Sequence, residues 1–176
     1  MSDVDSRCLD AFPAWLRSLA DDALGLASVV ADEGASEPGR RGAASALSYL
    51  FKSLDLIPDG IEDLGFLDDA FVFRVAARMA SPGEASPALE KLAHDAALVS
   101  DFLGVDYPRL ERFVASLGNA VVRGRSVDDV VSTPSVAASL VGDVRGWAGS
   151  YVVPSFGRDA KNLVKLRAFL SKKLPA

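Results

Sequence analysis

YLFKSLDLIPDGIEDLGFLDDA, residues Tyr49 to Ala70, decides how the rest of the chain is read. Two apolar helical patterns flank a turn-rich segment holding six acids: Asp55, Asp59, Glu62, Asp63, Asp68 and Asp69. No basic residue falls between Lys52 and Arg74. Pro58 fixes its own φ and pushes Ile57 toward an extended backbone. Gly65 is suited to the left-handed conformation that ends a short helical turn. Asp68 is placed to N-cap the following helix, with Asp69 in a first turn where the helix dipole favours it. Leu67 and Val72 have the spacing of a hydrophobic staple across that cap. Asp55 could cap the turn carrying Pro58. Leu54, Leu56, Ile57, Ile61, Leu64 and Phe66 would pin the whole to a core. On this reading the stretch is a helix-turn-helix corner at 49–70 joining two antiparallel helices.

The same acids admit a second reading. Carboxylates crowded into one turn repel each other unless something positive compensates them. Calcium and magnesium take such oxygen ligands, and Asp55, Asp59, Asp68 and Asp69 are the candidate metal ligands. The spacing is not that of an EF-hand loop, and Pro58 with the interleaved apolar residues aims successive acids in different directions. Lys52, Arg74 and Arg78 are the cations available for pairing instead.

Outward from the corner, helical periodicity recurs almost without a break. Phe12, Leu16, Leu19, Ala23, Leu24, Ala27 and Val30 keep the i, i+3, i+4 spacing of a helix from about Asp10 to before Gly34. Asp32 to Gly39, broken by Pro38, reads as a loop. A second helix is predicted over about Arg41–Ser53, burying Ala43, Leu47, Leu50, Phe51 and Leu54. A third continues past the corner through Phe71, Val72, Val75, Ala76 and Met79 until Ser81-Pro82-Gly83. Ser86 and Pro87 open a fourth, since Pro fits where the amide has no helical partner, and Gly104 ends it. Asp106 can cap a fifth. Ser126 with Asp129 resembles a capping box, and Thr133-Pro134 introduces a longer helix with Trp147 and Tyr151 on one side. A final helix spans about Arg158–Lys173. Neither a convincing alternating strand nor a repeat is present. The prediction is an all-α, single-domain compact bundle of six to eight helices over residues 1–176.

Composition narrows the function. The net charge of −5 and pI near 4.9 argue against nucleic acid, whose phosphates call for clustered Lys and Arg. The positive mean hydropathy, +0.20, fits either an Ala-rich bundle or an apolar face awaiting a membrane or protein partner, a second copy included. One cysteine, Cys8, excludes an intrachain disulfide and a Cys-based zinc site. One histidine, His94, excludes HExxH and His-rich zinc chemistry and reads as a helix-surface residue. Neither G-x-S-x-G nor a P-loop is present, so no catalytic residue is assigned. Gly39-Arg40-Arg41-Gly42 has the form of a GxxG clamp but lacks flanking strands; Arg40 and Arg41 read better as covering a helix end or meeting the acidic turn. The acidic start lacks the apolar stretch of a secretory signal, and no apolar run approaches the 18 or so residues of a spanning helix. A cytoplasmic protein is expected, with peripheral attachment to the inner membrane left open.

The last helix carries the one concentration of positive charge. Arg158, Lys161, Lys165, Arg167, Lys172 and Lys173 stand there against a single acid, Asp159. On a helical wheel Arg158, Lys161, Lys165, Lys172 and Lys173 share one side, with Phe169 among them. Leu163, Leu166, Leu170 and Leu174 line another, with Arg167 at its edge. Such a helix can pack by its leucines and face water, or lie on anionic lipid or an acidic partner.

Tyr49-Leu50, Leu54-Asp55-Leu56-Ile57-Pro58-Asp59, Ile61 and Leu64-Gly65-Phe66-Leu67-Asp68-Asp69 together resemble the signature of the YkvA-like family, domain of unknown function 1232. The family pattern reads roughly YL-x-x-P-x-DLIPD-x-IP-x-LG-Y-x-DD. The resemblance spans about residues 42–79. Ser53 stands where the family usually has Pro, Glu62 where a second Pro is usual, and Phe66 for the common Tyr. The resemblance implies a mostly bacterial protein without established catalytic activity, often associated with membranes; a related segment occurs in a eukaryotic membrane-bound ubiquitin ligase. The resemblance also implies flanking helices that in many members are apolar enough to suggest insertion in a bilayer, but here Lys52, Arg74 and Arg78 interrupt them. The resemblance therefore implies a non-enzymatic interaction or membrane-peripheral module, the alternative being a divalent-metal-binding protein using the acidic turn at 55–69.

Overall fold

The structure, a computed structural model, describes residues 2–52, 55–57, 64–80 and 86–176. Those residues form eight α-helices, two short 3-10 turns and one two-residue hairpin. The all-α class and the helix number agree with the reading of the sequence.

Helix α1 runs over Asp3–Ala31, starting well before Asp10. The Ser2 hydroxyl accepts the Asp5 amide, and Asp3 and Asp5 stand in the first turn, where the helix dipole favours acids. Arg7 adds pairs to Asp3 one turn back and to Asp101 on a neighbouring helix. Val4, Cys8 and Leu9 carry the buried stripe of α1 back into these first turns. Helix α2 covers Glu37–Leu50, capped by Ser36 onto the Gly39 amide. Pro38 is thus in the first helical turn, where a missing amide costs nothing, and not in a loop. Gly39-Arg40-Arg41-Gly42 lies inside this helix. Gly42 is there for close packing: a Cβ would come 2.6 Å from the Cβ of Ala80 on α3.

Helix α3, Leu67–Ala80, is buried on nearly every face and lies between α2 and α4, Pro87–Leu103. Such all-round burial identifies the central helix of a bundle. Phe71 on α3 meets Phe12 and Phe102 at ring distances of 5.1 and 5.8 Å, and Trp15 at 6.0 Å, joining three helices in one aromatic cluster. Helix α4 starts after Ser86 as expected, without a side-chain cap bond, and ends at Gly104 with φ 56°, a conformation glycine tolerates best. Helix α5 is Tyr107–Ser116; Asp106 precedes it but pairs with Arg109 instead of capping an amide.

Val121–Val122 and Arg125–Ser126 form the hairpin β1–β2, turned by Arg123 and Gly124 with φ of 52° and 74°. Ser126 then caps α6, Val127–Ser132, through the Asp129 amide, as its spacing predicts. Helix α7, Pro134–Ser150, packs along α1, and α8, Ala160–Lys173, closes the bundle. Ser53, Leu54, the stretch 58–63 and the expected stop at Ser81-Pro82-Gly83 lie outside the described residues.

Candidate functional site: an acidic corner and a basic helix

The corner is organised by one buried latch. Tyr49 and Asp68 are both 0% exposed. The Tyr49 hydroxyl donates to Asp68 Oδ2 at 2.5 Å and accepts from the Leu56 amide at 2.7 Å. The Ile57 amide donates to the same Oδ2 at 3.3 Å. Burial, followed by the charges of Asp68 and Asp69, pushes the Tyr49 phenol far above its ordinary range. It therefore stays protonated and is a permanent donor to the carboxylate. Side chains 19 residues apart in sequence, with the amides of Leu56 and Ile57, close the corner.

This corrects three expectations. Asp68 lies within the first turn of α3, not at the cap, and turns inward to a distant tyrosine. Helix α3 starts at Leu67, so Leu67 and Val72 do not flank a cap; both are fully buried. A left-handed residue does stand at the corner, but it is Phe66, at φ 68°. Its ring meets Tyr151 at 5.3 Å and Trp147 at 6.1 Å. Asp69, 1% exposed, lies in the same helical turn as Asp68. The Tyr151 phenol is raised by burial and then by the charge of Asp69, while its hydroxyl donates to the Leu16 carbonyl at 2.8 Å. Asp55 is half-buried, and Asp59 lies outside the described residues. Among the described residues no group of three or more His, Cys, Asp or Glu side chains is placed to hold a metal ion.

The three neighbouring cations are engaged elsewhere. Arg74, 1% exposed, reaches Asp22 and Asp95 at 3.4 Å each and donates to the Ala70 carbonyl at 3.0 Å. Its guanidinium also lies 4.0 Å from the Trp15 ring centre. Burial pulls its pKa down, and the two carboxylates oppose that pull. Ser18 and Lys91 complete the Asp22 environment at 2.9 and 3.1 Å. Lys52 stands 5.0 Å from the Phe113 ring and Arg78 5.9 Å from that of Tyr107. The Asp22–Arg74 pair does not emerge from the sequence reading; its signal is an acid at 22 inside the apolar stripe of α1.

Arg40 covers helix ends as read, donating to the Val30 and Val131 carbonyls, while Arg41 pairs with Glu37 and Asp128. His94 is exposed on α4, Trp15 is core, and Trp147 is half-buried against the core.

Helix α8 separates its cations into two groups. Arg158 lies before the Asp159 cap, outside the helix, and pairs with Asp10 on α1. Arg167 pairs with Asp5 at 2.7 Å, donates to the Phe102 carbonyl at 3.1 Å and stacks 4.3 Å over the Phe102 ring. Arg109 of α5 binds the Ser171, Leu174 and Pro175 carbonyls at the far end. Leu163, Leu166, Leu170 and Leu174 are buried, and Phe169 packs partly against the core instead of standing among the cations. The other group, Lys161, Lys165, Lys172 and Lys173, is exposed, and none of the four makes an ion pair among the described residues.

The latch, the two buried acids and Phe66 all fall on the recurring motif residues. Residues 41–74 match the family model described as "Protein of unknown function (DUF1232)". The chain thus carries a DUF1232 segment. That segment agrees with the YkvA-like resemblance and covers less than a quarter of the chain. It holds α2 from Arg41, the corner, and α3 as far as Arg74. Comparison with curated proteins and with solved structures gives no match.

Proposed function

We propose that this protein is a non-enzymatic, membrane-peripheral module that lays the outer face of α8 on an anionic lipid surface. The observation carrying the proposal is the division of labour among the α8 cations. Arg158 and Arg167 fix the helix to α1 and α4, while Lys161, Lys165, Lys172 and Lys173 are left to solvent on a protein whose net charge is −5. Val164, 65% exposed, stands on the same outer side. Each lysine near an anionic leaflet is worth about 1 kcal/mol, roughly fivefold in the binding constant. No described helix is long and apolar enough to cross a membrane, and an attachment through surface lysines needs none.

The test is co-sedimentation with vesicles of phosphatidylserine and phosphatidylcholine. The protein is expected to pellet at low salt, to be released at about 0.5 M salt, where charge screening is short-ranged, and to ignore pure phosphatidylcholine. A Lys161→Glu, Lys165→Glu variant, altered only at exposed positions, should lose most of the binding. Indifference to anionic vesicles, or equal binding by the variant, would reject the proposal.

A further inference from the structure

The connector from α7 to α8, residues 151–159, contains no helix or strand. It is nonetheless held at both ends. At the first, the Tyr151 ring meets Trp147 at 4.9 Å and Phe66 at 5.3 Å, and its hydroxyl donates to the Leu16 carbonyl. At the second, Phe156 packs partly against the core, its ring 6.3 Å from that of Phe12. The buried Asn162, in the first turn of α8, donates to the Gly157 carbonyl at 2.8 Å, and the Asp159 amide donates to the same oxygen. Arg158 adds its pair with Asp10.

Between those anchors Val152 and Val153 face water, 81% and 46% exposed. Apolar side chains exposed singly are ordinary on a protein surface, so exposure alone decides nothing. Here the two valines are consecutive, and the segment that carries them is clamped to the body on one side and to α8 on the other. Aromatic residues of the connector turn inward while its valines turn out. Val164 is exposed on α8 itself, beside Lys161 and Lys165. Apolar side chains thus flank a row of exposed lysines. Attachment to a bilayer surface grows with the apolar area buried at the headgroup boundary and with charge attraction to anionic lipid. A connector already fixed in place pays little further ordering cost on contact.

We infer that the connector is a membrane wedge: when the lysines of α8 meet anionic lipid, Val152 and Val153 enter the headgroup–acyl boundary of the same bilayer. The inference rests on the lipid reading of α8 and adds to it an apolar contact outside the helix. Its test uses Val152→Cys carrying a nitrobenzoxadiazole label, with native Cys8 too buried to react. On vesicles of phosphatidylserine and phosphatidylcholine the label's emission should shift to the blue, and lipids bearing a nitroxide high on the acyl chain should quench it. Unlabelled Val152→Asn, Val153→Asn should bind the same vesicles roughly tenfold more weakly, the worth of half-burying two valines. Its melting temperature should be unchanged, because neither side chain is buried. Val121→Asn, at a 66% exposed valine on β1, should bind as the unaltered protein does. If the unaltered protein pellets with anionic vesicles but the label at 152 keeps its emission in water and the double variant binds equally well, the wedge is overturned and the lysine reading stands. If the unaltered protein ignores anionic vesicles, both fall. An equal loss of binding in Val121→Asn would overturn the wedge, as would a dimer in size exclusion that the double variant dissolves, which would assign the valines to a second copy.

Discussion

At the scale of single residues, Tyr49 and Asp68 carry the argument that a buried motif acid builds the corner. The Tyr49 hydroxyl has both a donor and an acceptor role, so Tyr49→Phe leaves the Leu56 amide and one carboxylate oxygen without it. Loss of a buried hydrogen-bond partner costs about 1–3 kcal/mol, and urea denaturation of Tyr49→Phe should show a shift of that size. A double-mutant cycle with Asp68→Asn should then give a coupling of at least about 0.5 kcal/mol; additive losses would dissolve the latch. Arg74 should be more sensitive still. Removing one partner of a buried ion pair typically costs about 3–5 kcal/mol, so Arg74→Ala, which leaves the 5%-exposed Asp22 only Ser18 and Lys91, is expected to lower the denaturation midpoint more than any exposed substitution. Cys8 is 0% exposed, and burial pushes its thiol up to about 12. At pH 8 it stays protonated, and native protein should resist iodoacetamide until denaturant is added.

At the scale of elements, what was legible followed local chemistry. The apolar periods of α1, α4, α7 and α8, the Ser126 cap and the Gly104 stop are short-range patterns, and each reads directly from neighbours in sequence. Polar starts escaped notice. Ser2 and Ser36 cap helices through side-chain oxygens, and Pro38 looks like a breaker until the cap before it is known. The roles of Asp68 and Arg74 depend on partners 19 and 52 residues away, so no local pattern holds them. Two-residue strands are too short to show alternation.

The attachment of α8 gives this scale its pH dependence. Arg167, by hydrogen bond and charge, holds the Asp5 carboxyl below its ordinary value despite some burial. A carboxylate lowered on folding adds stability that is fully present above its unfolded pKa and lost as pH falls through the lower folded one. The stability difference between the protein and Asp5→Asn should accordingly be present at pH 7 and close as pH drops below about 4. A gap that persists unchanged at pH 2.5 would assign the effect to packing.

At the scale of the molecule, an acidic bundle turns one basic helix outward and keeps Asp68 and Asp69 of its DUF1232 segment within the fold. Among the described residues the corner is closed by Tyr49, Asp68 and backbone amides, without a cation in the latch. If that closure suffices, the melting temperature is expected to move by less than about 2 °C between EDTA and millimolar calcium or magnesium; a larger rise, lost in Asp55→Asn, would favour the metal reading.

The orientation of the molecule on lipid tests the account most directly. Val164→Cys places a nitroxide among the α8 lysines, and His94→Cys places one on the exposed surface of α4, with native Cys8 too buried to be labelled. With phosphatidylserine vesicles, the label at 164 should lose mobility and gain protection from a water-soluble relaxation agent, while the label at 94 should not change. Protection at 94 with none at 164, or no change at either, would contradict it.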